Sequence, residues 1–283
     1  MAKKVKRTWE DVTDEELKEN VDRAILILKE FCPPEGYYLA FSGGKDSVCI
    51  KELANMAGVK YDAHYCVTTV DPPELMRFIR DEHKDVEWVK PPAGESLYKS
   101  VPKHGVPTRT VRWCCRIYKE HGGAGRITVV GVRHAESHNR SKYQIVAPCQ
   151  KAWAKGKIFV SPIVHWSEEV VWAFIRKNNL PYCSLYDEGW KRLGCVVCPM
   201  LTKGQTQKNI ARWPEKFEKM KDAITLSFEK SPALQSRFNS GEEVYEWWIS
   251  RDQPYPKPRE IVEADEPEEA AYYTDQFAEE DVL

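Results

Sequence analysis

Six consecutive residues, Ser42-Gly43-Gly44-Lys45-Asp46-Ser47, carry the groups that bind and polarise a phosphate. Two hydroxyls and an ammonium surround the turn. The glycines let the backbone approach a ligand where a Cβ would intrude, and Asp46 can hold Mg²⁺ or orient Lys45. Sulfur forms a second set. Cys114-Cys115 and Cys195-x-x-Cys198 supply four thiolates, the number that a [4Fe–4S] cluster or a structural zinc takes. Neighbours in a strand point to opposite faces, so Cys114 and Cys115 can share one site only if the backbone coils, as a helix starting after Arg112-Trp113 would make it do. The third set lies in Gly131 to Arg140. Arg133, Ser137 and Arg140 just past a strand end can form a second anion site, or Arg133 can simply pair with Glu136.

The elements that position these groups follow from periodicity. Tyr37 to Phe41 is a continuous apolar run, as in a parallel strand buried on both faces, and Val48, Cys49, Ile50, Leu53, Ala54 and Met56 recur at helical spacing behind the loop. A strand, a tight turn and a helix start place peptide N–H groups and the positive end of the helix dipole at the loop, which favours an anion. Thr13-Asp14-Glu15-Glu16 is a capping box before an amphipathic helix closed by Pro33-Pro34. Further strands are expected over Tyr61 to Val67, Val86 to Val89, Arg126 to Val132 and Lys157 to Ile163. Helices are expected from Asp71-Pro72-Pro73-Glu74 and from Ser167-Glu168-Glu169. The alternation predicts an α/β fold: a parallel five-stranded sheet with helices on both faces, and a ligand at the carboxyl ends of the strands.

Composition sets the bounds. The chain has 283 residues, 42% of them hydrophobic, with no bilayer-length apolar run, so a cytoplasmic protein with no membrane partner is expected. Nine cysteines in a reducing compartment point to metal or catalysis rather than disulfides. The net charge of −1 conceals an asymmetry: nine acidic residues from Glu263 onward leave 42 basic against 34 acidic side chains before them, or +8. A basic body suits an anionic substrate or nucleic acid, and the acidic end reads as a solvated tail. Ser96 to Lys119, with Lys99, Lys103, His104, Arg109, Arg112 and Arg116, reads as a basic active-site loop, with a merely solvated surface as the alternative. Near the C-terminus Phe217, Met220, Ile224 and Phe228, then Val244, Trp247 and Trp248, mark two helices whose aromatics read more simply as core than as platforms for bases.

Ser-Gly-Gly-Lys-Asp-Ser has neither Walker nor Rossmann spacing and resembles the PP-loop of the ATP pyrophosphatase superfamily. From about Tyr37 to Met200 the resemblance narrows. The phosphate loop, Asp71-Pro72-Pro73-Glu74, Cys-Cys, Gly-x-Arg-x-x-Glu-Ser-x-x-Arg, Trp166-Ser167-Glu168-Glu169-Val170 and Gly-Cys-x-x-Cys occur in the order of the iron–sulfur branch of the phosphoadenosine phosphosulfate reductase family. That resemblance implies an adenine nucleotide alpha-hydrolase-like, PP-loop domain over residues 35–205. An N-terminal helix over 1–34, a helical extension over 206–260 and the acidic tail over 261–283 would flank it.

It further implies nucleotide binding by Ser42, Gly43, Gly44, Lys45, Asp46 and Ser47, with Lys45 and Asp46 catalytic. Arg133, Glu136, Ser137 and Arg140 become substrate-anion contacts, and Cys114, Cys115, Cys195 and Cys198 become [4Fe–4S] ligands. The cofactors are the cluster, Mg²⁺ and ATP or an adenylylsulfate-type nucleotide. Reductases of the family are expected to use a Glu-Cys-Gly thiol near the C-terminus and often lack the Lys-Asp pair, whereas here no cysteine follows Cys198 and Lys45-Asp46 is present. Both departures favour an ATP pyrophosphatase that adenylates a substrate for sulfur transfer, as in nucleic-acid thiolation. Its partners would be a cysteine desulfurase, a nucleic acid and a second copy of the chain in a homodimer. A sulfite-releasing reductase using Cys149 or Cys183 and a non-catalytic nucleotide-binding subunit are the alternatives.

Overall fold

The computed structural model describes residues 7–91, 94–138, 140–149, 156–251 and 254–259. The acidic tail from Glu263 lies outside them. The chain divides into two compact units, 1–96 with 115–196, and 97–114 with 197–283.

The first unit is built on a six-stranded sheet. Its centre is β1 (Tyr37–Ala40), flanked by β2 (Tyr61–Cys66) and then β3 (Glu87–Val89). On the other side come β4 (Ile127–Val129), β6 (Ile158–Val160) and β5 (Val146–Pro148). All pairs are parallel except β5 with β6. The sheet therefore has six strands where five were expected. The added one is a three-residue antiparallel edge strand ending in Pro148, and an edge is where a ladder tolerates the missing N–H of proline. Leu39 aligns with Ala63 on one neighbour and Val129 on the other, and all three are buried, which is why the β1 run shows no polar alternation.

Helix α1 (Asp14–Glu30) starts at Thr13, whose side chain accepts the Glu16 N–H, and it buries Leu17, Val21, Ala24, Ile27 and Leu28. It packs on α2 (Lys45–Ala57), and both meet α6 (Glu168–Lys177), capped by Ser167 accepting from the Val170 N–H. Leu28, Ile50, Leu53 and Phe174 are fully buried among these elements, each stabilising the unit by roughly 1.5–3 kcal/mol. Helix α3 (Pro73–Glu82) begins behind buried Asp71, which accepts hydrogen bonds from the Tyr65 and Thr68 hydroxyls.

The second unit is helical. Helix α4 (Leu97–His104) packs on α8 (Pro214–Lys230), which also meets α7 (Lys203–Arg212), α9 (Pro232–Gln235) and α10 (Gly241–Ser250). The basic segment expected as a loop is thus largely helix. Besides α4, Trp113–Tyr118 forms α5, and Arg109 between them donates to the Leu201 carbonyl at 3.0 Å. Phe217, Met220, Ile224, Val244 and Trp248 are core. The Trp248 indole N–H donates to the Pro107 carbonyl at 2.8 Å and its ring lies 3.9 Å from the Arg251 guanidinium, so it is no open platform for a base.

Candidate active site at the phosphate loop

The chain leaves β1 at Ala40 and enters α2 at Lys45, so residues 41–44 make the whole turn. Gly43 has φ +70°, and a Cβ there would come 2.7 Å from side-chain carbons of Leu75 and Ile79, so both backbone shape and space demand glycine. Gly44 caps α2 with no side chain of its own; its N–H reaches Ser42 Oγ at 3.4 Å, and the next amide, that of Lys45, is taken by a phenol from a distant segment. Ser47 Oγ donates to the Gly44 carbonyl at 2.7 Å and receives Ser42 Oγ at 3.3 Å, so the two serines brace the turn from inside. Gly131, past the end of β4, approaches so closely that a Cβ would lie 3.0 Å from the Asp46 backbone.

Lys45 is only 4% exposed. Its backbone N–H donates to the Tyr186 phenol at 2.9 Å. Its ammonium lies 3.3 Å from Asp46 Oδ2, 3.4 Å from Glu168 Oε1 and 3.4 Å from the Lys191 carbonyl. Arg133 closes the circuit: its Nε donates to Asp46 Oδ1 at 2.6 Å and its Nη2 to Glu168 Oε2 at 2.6 Å, while Nη1 reaches the Trp166 carbonyl at 3.3 Å. Lys45, Asp46, Arg133 and Glu168 therefore form a closed ring of alternating charge beside the helix start. Burial works against the Arg133 charge, but Asp46 and Glu168 outweigh it and hold the pKa above the ordinary arginine value. Burial raises the Tyr186 phenol far above its usual range, so it stays protonated at neutral pH.

Arg133 was expected to receive a substrate anion, yet its side chain is 2% exposed and engaged at all three nitrogens by protein acceptors. It shapes the loop from behind. Nor do Arg133 and Glu136 pair through their side chains: Glu136 accepts the Arg133 backbone N–H at 3.1 Å and the Arg140 guanidinium. Ser137 is exposed and accepts the Arg140 N–H at 3.3 Å. The loop residues Ser42 to Ser47 are brought together as expected.

Glu168, Trp166, Tyr186 and Lys191 are the site residues that sequence reasoning left without a role. Trp166 and Glu168 stood in a quoted motif, and Tyr186 and Lys191 in the segment before Cys195. Nothing in their spacing tells that they reach the loop.

All nine cysteines are thiols. Cys114 is buried, and Cys115, Cys195 and Cys198 are half-buried. Cys114 and Cys115 lie in the first turn of α5, where successive side chains diverge by about 100° rather than pointing to opposite faces, as a shared group requires. Among the described residues no three His, Cys, Asp or Glu side chains are gathered as a metal ion would need.

Residues 36–201 match the model of the phosphoadenosine phosphosulfate reductase domain. The chain belongs to the phosphoadenosine phosphosulfate reductase family. Within it, the chain is 30% identical over 204 residues to an uncharacterized protein of Methanocaldococcus jannaschii, covering 68% of this chain and 42% of that one. It is 22% identical to adenosine 5′-phosphosulfate reductase 2 of Bacillus subtilis, covering 73% and 91%. The chain spans about half the length of the first curated family relatives it matches, 42% and 55% of two M. jannaschii proteins. Among solved structures it is similar to the phosphoadenylyl-sulfate reductase of Candida auris in its phosphate complex, at 18% identity and a TM-score of 0.48, covering 65% and 96%. No helix among the described residues is long and apolar enough to cross a membrane.

Proposed function

We propose that this chain is an ATP pyrophosphatase of the phosphoadenosine phosphosulfate reductase family that adenylates an acceptor oxygen in preparation for sulfur transfer. The observation that carries this reading is the Lys45 ammonium, buried at the start of α2 and held by two carboxylates and a carbonyl. Phosphate oxygens would take the place of the Ser42 hydroxyl at the Gly44 N–H and of the Tyr186 phenol at the Lys45 N–H, and the α2 dipole adds to the pull of these amides. As the acceptor oxygen attacks the α-phosphorus, the bond to the β-phosphate oxygen breaks and its electron pair leaves on pyrophosphate. Lys45 is the loop cation that would turn from its protein acceptors to that charge. Asp46 and Glu168 offer carboxylate oxygens of the kind that Mg²⁺ prefers and would hold it against the phosphates. Arg133 keeps those two carboxylates in place.

Cys114, Cys115, Cys195 and Cys198 are proposed as [4Fe–4S] ligands, on the order of the family motifs and on the coiled backbone at Cys114-Cys115. Such a cluster would supply a site for carrying sulfur. A nucleic-acid acceptor and a desulfurase as donor belong to the same proposal.

The relative named adenosine 5′-phosphosulfate reductase supports a second reading, in which sulfite is released from adenylylsulfate by a thiol. Cys183 suits that role poorly, because burial raises its pKa and disfavours the thiolate. Cys149 is half-buried. One experiment separates the readings. Purified protein is assayed for pyrophosphate release from ATP, and separately for sulfite release from adenylylsulfate with a thiol reductant and no ATP. The pyrophosphatase reading expects the first activity, reduced on the order of 10²- to 10³-fold by Lys45→Ala. Sulfite release that is lost in Cys149→Ser would overturn it.

A further inference from the structure

A cleft of about 330 Å³ opens beside the phosphate loop, lined by Trp9, Trp172, Tyr186, Trp190, Arg176 and Lys191. Clefts of this size lie at the lower end of the range that holds small molecules or parts of them. Two of its walls are bonded directly to the loop: the Tyr186 phenol accepts the Lys45 N–H, and the Lys191 carbonyl accepts from the Lys45 ammonium. Glu168, which pairs with both Lys45 and Arg133, lines it too. Whatever occupies this cleft therefore lies against the groups that hold the nucleotide's phosphates.

The lining chemistry selects its occupant. The Trp172 and Tyr186 rings meet edge to face at 5.1 Å, and Trp172 meets Tyr182 in the same way at 5.4 Å. The Arg176 guanidinium lies 4.6 Å from the Tyr182 ring centre and 5.7 Å from that of Trp172, which orders the aromatic wall with a cation. Trp9, Trp172, Tyr186 and Trp190 are each only partly buried, so ring surface remains open to the cleft. Arg176 and Lys191 are exposed at the rim; Arg176 pairs with Asp187, another lining residue, at 3.6 Å, and Lys191 adds a second cation. Stacking faces with cations beside them suit a planar heteroaromatic ring on an anionic backbone.

We propose that this cleft receives a nucleobase of the acceptor, with its phosphates toward Lys191, and so presents the acceptor to a nucleotide held on the loop. The inference deepens the adenylation reading and rests on it. The nucleobase can come from a single-stranded nucleic acid or from a free mononucleotide, and the test distinguishes them.

The full chain is titrated with a fluorescein-labelled mixed-sequence single-stranded RNA 12-mer, and separately with cytidine and uridine monophosphates, read by anisotropy and by tryptophan quenching. ATP binding is measured on the same preparations. Trp172→Ala and Trp190→Ala should each weaken 12-mer binding about ten- to hundredfold, the range for losing one stacked base, and leave ATP affinity within about twofold. Trp172→Phe should restore most of the loss. Lys191→Glu should weaken the 12-mer more at low salt than at high salt. Monophosphates binding as tightly as the 12-mer, with the same tryptophan dependence, would assign the cleft to a free nucleotide. Absence of binding by either, or 12-mer affinity unchanged in both tryptophan variants with thermal stability intact, would overturn the inference. Failure of the adenylation reading shows differently: the bases bind as expected while ATP yields no pyrophosphate.

Discussion

Arg133 Nε lies 2.6 Å from Asp46 Oδ1, joining a residue beyond β4 to the first turn of α2 across 87 positions of sequence. The same guanidinium holds Glu168 at the start of α6. One buried cation thus fixes two carboxylates from separate elements, and Lys45 completes the ring from the other side.

Removing that cation leaves Lys45 alone to compensate both Asp46 and Glu168. Arg133→Ala is expected to destabilise the chain by on the order of 3 kcal/mol, because breaking a buried pair strands the remaining charge. Arg133→Lys keeps the charge but not the fork, so it should recover only part of the loss. Urea unfolding measures both. A variant that kept full stability and lost only ligand affinity would return Arg133 to the role of an anion contact.

Two glycines separate shape from approach. Gly43→Ala meets Leu75 and Ile79 at 2.7 Å in a left-handed conformation, and should lower the thermal midpoint as well as nucleotide affinity. Gly131→Ala meets the Asp46 backbone at 3.0 Å without a positive φ, and should displace the α2 start. The expected outcome for Gly131→Ala is at least tenfold weaker nucleotide binding with a smaller loss of stability. Calorimetric titration of each purified variant with ATP, beside its melting curve, gives the comparison.

The loop was legible because its chemistry and its local structure are contiguous: an apolar run, two glycines and a helical repeat occupy neighbouring residues, and β1 and α2 appear where that pattern puts them. The role of Arg133 was not, since a strand-end arginine reads alike whether it turns outward to an anion or inward to carboxylates. Only the packing of α2 and α6 behind it decides, and both partners are distant in sequence. The edge strand Val146–Pro148 escaped because three residues show no period. The basic segment misled in the opposite way. Lys99, Lys103 and His104 lie on α4, whose Leu97, Ser100 and Val101 are buried, so a helical face was present beneath that part of the charge run.

For the cysteines, protein purified without exposure to air should be brown, with a broad absorption and about four irons per chain. Cys198→Ser should lower the iron content and the absorption together. One zinc per chain and no iron in such protein would replace the cluster by a structural Cys₄ site.

A pH dependence follows from His83, which takes no part in the charge ring. Its ring is 6% exposed and lies edge-on to Phe41 and Phe78, with ring centres at 4.6 Å and 5.0 Å. Its Nδ1 is 3.2 Å from the Lys51 ammonium, which also pairs with Asp85 at 2.6 Å. Burial first, then the Lys51 charge, lowers its pKa to about 4, with Asp85 opposing. The folded state therefore holds a neutral imidazole where the unfolded chain, at an ordinary value near 6.5, takes up a proton. Stability from this group is full above about pH 6.5 and is lost as pH falls toward 4, by about 3 kcal/mol at the lower limit. His83→Gln keeps an acceptor for Lys51 but cannot titrate, so unfolding free energies measured between pH 4 and 7 should vary less steeply in this variant than in the parent chain. An equal slope in both would place the titrating group elsewhere.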